Sequence, residues 1–278
     1  MGKIISDHIE FIGKVKNKVS NEYDGKILYL MVSGSHLFGF ESPDSDIDYR
    51  GCWQINTRKL LGYHRPKDFV EWKIMKERMT KDDVAEHDIY DKEVVLDELQ
   101  KEIKLLVAGN CNHWEHLTAI PLLTSPEHAE ILKLLDINNS MMGIYHSYRG
   151  MAYQNYKKFI LGGKHTVKKY LYVLRGLMAG SWVVENKTIQ PNIGILAEHY
   201  NSPVVKELID LKKRGMEKDP VNKNLGRYNQ EVDKWFKYID SMGMGLISTE
   251  LKELQERDEV ISDWLLKTRL RYLDGYSG

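Results

Sequence analysis

Cysteine is scarce in this 278-residue chain, which has only Cys52 and Cys111. Two thiols build no disulfide framework, and that fits a reducing compartment. An excess of charge of one sign is also missing, since Lys plus Arg and Asp plus Glu each total 40. No global basic field therefore draws the chain onto nucleic acid, although local basic patches stay open. No apolar run approaches membrane-spanning length, and the first residues (Gly-Lys-Ile-Ile-Ser-Asp-His) carry no signal-peptide core. The expected place is the cytoplasm, with no membrane partner. Repeats and low-complexity segments are lacking too. The histidines His64, His87, His113 and His116 are scattered at spacings that build no zinc site. Cys111 has no recognisable His and Asn frame for nucleophilic work. What remains, 42% apolar and 29% charged residues, is ordinary for a globular protein. The length suits one large domain or two small ones.

The most informative stretch is residues 27 to 51. Ile27 to Val32 form a short continuous apolar run, the pattern of a strand buried on both faces. The run ends abruptly in Ser33-Gly34-Ser35, and Gly39 follows one turn later. Small residues there let backbone N–H groups approach an anion, and a helix starting at Ser35 would aim its N-terminus at the same place. Ten residues beyond Ser35 comes Asp46-Ile47-Asp48. On a strand, that i, i+2 spacing puts both carboxylates on one face and Ile47 on the other. A phosphate cradle beside two co-facial carboxylates is what a metal–nucleotide complex needs.

Along the rest of the chain, Asp7 and Glu10 read as a capping box. Ile9, Ile12, Val15 and Val19 form the apolar stripe of a helix reaching about Val19. A second strand is expected from Asp46 to about Ile55, and a short helix with a loop from 56 to 74. A charge-dense excursion follows at 76 to 92. Lys92 to Leu96 make a compact strand, and Asp97 is placed to cap a helix lined by Leu99, Ile103, Leu106 and Val107, with Gln100 at its N3 position. Gly109-Asn110 closes that helix. Pro121 to Pro126 is the expected domain boundary. Beyond it, helices are expected at 126–137, 141–161, 164–185, 202–217, 226–242 and 247–273. Lys168, Tyr172 and Arg175, at i, i+4 and i+7, share one helical face. Trp182, Trp235 and Trp264 read as core residues on helices.

Gly34-Ser35, then Asp46-x-Asp48, resembles the signature of the DNA polymerase beta-like nucleotidyltransferase superfamily. The fuller string Gly-Ser-His-Leu-Phe-Gly…Ser-Pro-Asp-Ser-Asp-Ile-Asp-Tyr-Arg-Gly is most similar to its branch of bacterial and phage predicted nucleotidyltransferases. The resemblance implies a third carboxylate on a strand that leads into a helix closed by Gly-Asn. Counting back from Gly109-Asn110 places it at Glu93, with Asp88 and Asp91 as competitors. It also implies a Lys…His-x-x-Arg pattern facing the nucleotide, which Lys168 and Arg175 match and where Tyr172 replaces the His.

The resulting expectation is an α/β (α+β) nucleotidyltransferase domain with a small mixed sheet, residues 1–120, followed by an α-helical domain, residues 121–278, that closes the nucleotide cleft. Asp46, Asp48 and Glu93 are the expected catalytic and metal-binding residues, holding Mg²⁺ or Mn²⁺. Gly34, Ser35, Lys168, Tyr172 and Arg175 are the expected nucleotide-binding residues. The expected reaction moves a nucleoside monophosphate from a triphosphate, foremost ATP, to an unidentified acceptor, with release of pyrophosphate. An RNA end, a small molecule or a protein could be that acceptor. Two other readings stand beside this one. One is protein nucleotidylation in a toxin/antitoxin-like system, and the other a non-catalytic nucleotide-binding regulatory module.

Overall fold

Apolar residues at helical spacing open the chain. Phe11, Val15 and Val19 are buried, and they line one side of α1 (Gly2–Tyr23). A computed structural model describes residues 2–42, 45–64, 66–74, 91–215, 221, 225–243 and 251–274. Helix α1 begins ahead of Asp7, so the expected capping box lies inside the helix instead of at its start. Nothing in the sequence from Gly2 to Ser6 breaks a helix, so the helix runs on ahead of the expected cap. Ile9 is correspondingly 65% exposed, and the buried stripe is centred on Phe11.

Next come β1 (Gly25–Val32), the short α2 (Gly34–Phe38), β2 (Ile47–Ile55), α3 (Thr57–Leu60), β3 (Phe69–Ile74) and β4 (Lys92–Glu98). Then α4 (Leu99–Val107), α5 (Cys111–Thr118) and β5 (Leu123–Thr124) complete the sheet half of the chain. The sheet order is β3-β4-β2-β1-β5. Only the central β2–β4 pair is parallel, and the other pairs are antiparallel. A parallel pair needs a long crossover, which here runs through α3, β3 and the segment 75–90. The expected charged excursion lies mostly there, outside the described residues, as do Asp88 and His87. Strand β3 was not expected, because Pro66 and flanking charges mask its Phe69-Val70 and Trp72 alternation.

The helix cap after β4 sits one residue later than expected. The Glu98 carboxylate, not Asp97, accepts the Gln100 N–H at 2.9 Å. Asp97 points along the same sheet face as Glu93 and accepts from Lys101 at 2.7 Å. Gly109 takes a left-handed φ of +75°, as a closing glycine should, and Asn110 opens α5 by accepting from Asn112 and His113 N–H groups.

Among the described residues, the elements that follow are helical: α6 (Pro126–Leu134), α7 (Ile137–Asn155), a π-helical turn (Tyr156–Ile160), α8 (Val167–Asn186), α9 (Ile193–His199), α10 (Pro203–Lys213), α11 (Leu225–Gly243) and α12 (Leu251–Asp274). Helices α5 and α9 are additions to the expected set. Both are short and open with an Asn cap, a signal confined to one residue. The segment expected to be the domain boundary, Pro121 to Pro126, carries β5, whose Leu123 and Thr124 pair with Leu30 and Tyr29. No helix among the described residues is long and apolar enough to cross a membrane.

Two apolar clusters sandwich the sheet. On one face, α1 covers Leu30, Tyr49, Trp53, Val94 and Leu96. On the other, Leu28, Tyr29 and Cys52 join Leu99, Ile103 and Leu106, and the cluster continues through Tyr148, Leu171 and Leu174 to Trp235. Each fully buried Leu here contributes about 1.5–3 kcal/mol. Helix α12 returns to the sheet half: its Arg269 carbonyl accepts from Thr57 Oγ1 at 2.8 Å, and Arg269 pairs with Glu98 at 2.7 Å.

Candidate active site

The loop after β1 is tied directly to β2. Ser33 N–H donates to the Asp48 carbonyl at 2.7 Å, which extends the ladder by one residue. Gly34 then turns with φ +62°, and a Cβ built on it would lie 2.1 Å from Asp48 Oδ2. Only glycine lets this backbone pass so close to that carboxylate. Gly39, at φ +77°, closes α2 by donating its N–H to the Ser35 carbonyl. With five residues, α2 offers its first backbone N–H groups and little macrodipole.

Asp48 and Glu93 stand opposite each other in the parallel β2–β4 register, so their side chains leave the sheet on the same face. Asp46 precedes β2 by one residue and is exposed. Burial, with Glu93 and Asp46 close by, raises the Asp48 carboxyl above its ordinary range, while Arg50 pulls the other way. Glu93 is shifted down, chiefly by its bond from Lys73 and also by Arg50. The Arg50 guanidinium reaches Glu93 Oε2 at 2.5 Å and Asp48 Oδ1 at 3.3 Å, and Lys73 Nζ reaches Glu93 Oε1 at 2.7 Å. Asp91 sits just outside β4, where its carbonyl accepts from Ile47 N–H at 2.9 Å.

Ser35, Ser42, Ser45, Asp46, Asp48, Lys168 and Tyr172 line a cavity of about 100 Å³. That volume holds a few waters, hence a phosphate or a hydrated ion and not a whole nucleotide. Lys168 and Tyr172 come from the first turns of α8, and the Tyr172 ring meets Phe40 edge-on at 5.6 Å. Of the expected site residues, Ser35, Asp46, Asp48, Lys168 and Tyr172 thus meet at one cavity, while Gly34 and Glu93 are not part of its lining.

Arg175 lies apart from them. It was expected to share that cleft, yet it is 1% exposed and donates to Glu115 Oε1 at 2.5 Å, with its Cζ 3.6 Å from the Phe38 ring centre. Tyr148 also donates to Glu115 Oε1, at 2.7 Å. Seven residues along a helix carry a side chain roughly 10 Å deeper on the same face. At that depth α8 passes beneath α2, and Phe38 covers the guanidinium. Arg175 supports the loop from below and does not line the cavity.

Sequence reasoning missed several neighbours. Arg50 was recoverable by parity, since i+2 from Asp48 returns to the same face. Lys73 was hidden with β3. Ser42 and Ser45, whose hydroxyls are 3.0 Å apart, and Lys212, which donates to Ser42 Oγ at 3.3 Å, come together only in three dimensions. His116 Nε2 lies 3.1 Å from Ser33 Oγ, and burial keeps its imidazole well below its usual range. Farther along the same face, Asp97, Glu102 and His113 have ligating atoms within 4.8 Å of one another, a cluster the histidine spacing did not announce. Its internal bonds account for it. His113 Nδ1 is 2.7 Å from Glu102 Oε2, Tyr29 donates to Glu102 Oε1 at 2.5 Å, and Lys101 holds Asp97.

The carboxylates that line the cavity, Asp46 and Asp48, suit a hard divalent cation, and Glu93 stands beside Asp48 outside that lining. Asp46, Asp48 and Glu93 crowd negative charge, and a cationic group, Arg50, is already drawn between two of them.

Two comparisons bear on this geometry. The family model described as RNA repair pathway DNA polymerase beta family matches residues 10–263. The Bacillus subtilis (strain 168) protein named "Uncharacterized protein YcgL" is 31% identical over 211 residues, which cover 73% of this chain and 75% of that protein.

Proposed function

Since the chain belongs to the RNA repair pathway DNA polymerase beta family, a polymerase beta-like nucleotidyltransferase family, we propose that it transfers a nucleoside monophosphate from a triphosphate, foremost ATP, to the end of an RNA, releasing pyrophosphate. The observation that carries this reading is the pairing of Asp48 with Glu93 on neighbouring strands, directly beside Gly34. A protein that only bound nucleotides would have no need to crowd carboxylates at this point.

In this reading, Asp46, Asp48 and Glu93 hold Mg²⁺ or Mn²⁺. When bound, the ions supply Lewis-acid charge neutralisation at the transferring phosphate and acidify the acceptor hydroxyl. The chain's own groups do the rest. Backbone N–H groups at Gly34 and Ser35 and the Ser42 and Ser45 hydroxyls donate to triphosphate oxygens, and Lys168 adds charge from the opposite wall. Tyr172 bounds the cavity. Arg50 leaves Asp48 for the phosphate or remains on Glu93. Arg175 and Glu115 hold α2 in place through Phe38.

The test uses α-labelled and γ-labelled ATP in parallel, with Mg²⁺ and an oligoribonucleotide bearing a free 3′-hydroxyl. Label from the α position should join the RNA, and none should come from the γ position. Label on protein would favour protein nucleotidylation. No label anywhere, with nucleotide bound, would favour the regulatory module.

A further inference from the structure

The chain is electrically neutral, but its charges are not evenly spread. Residues 137–184 contain no Asp or Glu, while they include Arg149, Arg175 and five lysines between 157 and 169. Both arginines have carboxylate partners: Arg149 meets Asp240, and Arg175 meets Glu115. The lysines are placed differently. Lys157, Lys158 and Lys164 are exposed. Among the described residues, none of these three stands within ion-pair distance of a carboxylate.

The backbone at this point is irregular. After Asn155 the helix widens into a π turn, Tyr156–Ile160, which carries Lys157 and Lys158. Such turns occur mostly as single insertions and often at functional sites. Gly162 and Gly163 then reverse the chain. A Cβ on Gly162 would lie 2.5 Å from the Lys158 carbonyl, and Gly163 has φ +79°. The reversal delivers Lys164 to the start of α8, only four residues before Lys168, which lines the cavity with Asp46 and Asp48. Four residues of chain span at most about 14 Å. Lys164 therefore lies within that reach of the cavity-lining Lys168, and the π turn that carries Lys157 and Lys158 packs against the same helix, α8.

We propose that this lysine turn, Lys157, Lys158 and Lys164, binds the phosphodiester backbone of the single-stranded RNA acceptor and guides its end toward Lys168 and the carboxylates. This rests on the transferase reading above and adds to it the surface that holds the acceptor. Binding here is through phosphates and not bases. The two aromatic residues of the turn are both engaged: Phe159 has Lys169 Nζ 3.8 Å from its ring centre, and the Tyr156 ring meets Phe236 edge-on at 5.4 Å. The patch should consequently be indifferent to sequence and sensitive to salt. An anionic membrane fits less well, because Leu161, 65% exposed, is the one large apolar residue at the tip.

The experiment compares full-length wild type with the triple variant Lys157→Gln, Lys158→Gln, Lys164→Gln. Fluorescence anisotropy of a labelled single-stranded oligoribonucleotide is followed from about 50 to 200 mM salt. Calorimetry with a non-hydrolysable Mg–ATP analogue runs alongside, as does sedimentation with vesicles containing phosphatidylserine. The variant should bind RNA about tenfold more weakly at low salt. Its log–log salt slope should be shallower by about 2, the loss of three contacts at about 0.7 each. Nucleotide affinity should be unchanged, which also shows that the variant is folded. Unchanged RNA affinity and slope would overturn the proposal, as would binding to vesicles without binding to RNA. Failure of the wild type to bind the nucleotide would instead count against the transferase reading, independently of the lysine turn.

Discussion

The backbone of Gly34 lies against the carboxylate of Asp48, so closely that a Cβ would stand 2.1 Å from Oδ2. The loop after β1 and strand β2 are therefore one unit, and neither can shift without the other. Gly34→Ala should disturb both. The left-handed conformation costs about 1–2 kcal/mol with a side chain, and the methyl group would drive Asp48 out of position. Thermal unfolding and turnover together check this: a modest fall in Tm with a loss of transfer of about 100-fold or more. A variant with wild-type turnover would show that the loop is not coupled to Asp48.

Asp48 and Glu93 should respond oppositely to loss of charge. Asp48 has a raised folded pKa, so its ionisation opposes folding once pH rises above the unfolded value near 3.8. Asp48→Asn should leave Tm at pH 7 equal or slightly higher. Glu93 has a lowered folded pKa, so it contributes stability above about pH 4.5 that disappears as pH falls. Glu93→Gln should lower Tm at pH 7 and flatten its acid limb. Both carboxylates are partly exposed, so each effect should be small. Melting curves from pH 3 to 8 would expose the wrong sign at once.

How much of this was legible in the chain follows from distance along it. Ile27 to Val32, Gly34-Ser35 and Asp46-Ile47-Asp48 carry local patterns, and the structure brings them together as those patterns imply. Glu93 needed the Gly109-Asn110 landmark, and the structure places it opposite Asp48 in the β2–β4 register. The pairing of Arg175 with Glu115 spans 60 residues, and no periodicity encodes it. Spacing said correctly that Lys168, Tyr172 and Arg175 share a face, but not how deep along α8 the protein surface lies. Strand β3 and helices α5 and α9 were lost for being short, with tertiary pairing supplying what their own sequences do not.

Arg175→Ala tests the corrected role. Removing one member of a buried pair leaves Glu115 charged and uncompensated, at a cost of about 3–5 kcal/mol. Calorimetric melting should show a large fall in Tm, and nucleotide affinity measured well below that Tm should change little. A stable variant with selectively weakened nucleotide binding would place the guanidinium in the cavity after all.

Lys168→Ala makes the converse test on the same helix. The residue lines the cavity, so its loss should weaken triphosphate binding by about 1.5–3 kcal/mol, the range for a charge-assisted bond. Tm should scarcely move. Titration calorimetry of a non-hydrolysable triphosphate gives the answer, and equal affinities would remove Lys168 from the site.

In the proposed transferase, Asp46, Asp48 and Glu93 would together hold the metal. Pyrophosphate release, followed in single turnover with Mg–ATP and RNA, tests it most directly in Glu93→Gln against Asp91→Asn. Glu93→Gln should match Asp48→Asn, slowed by about 10³-fold or more, while Asp91→Asn should keep near wild-type turnover. Normal turnover in Glu93→Gln, or a loss confined to Asp91→Asn, would contradict it.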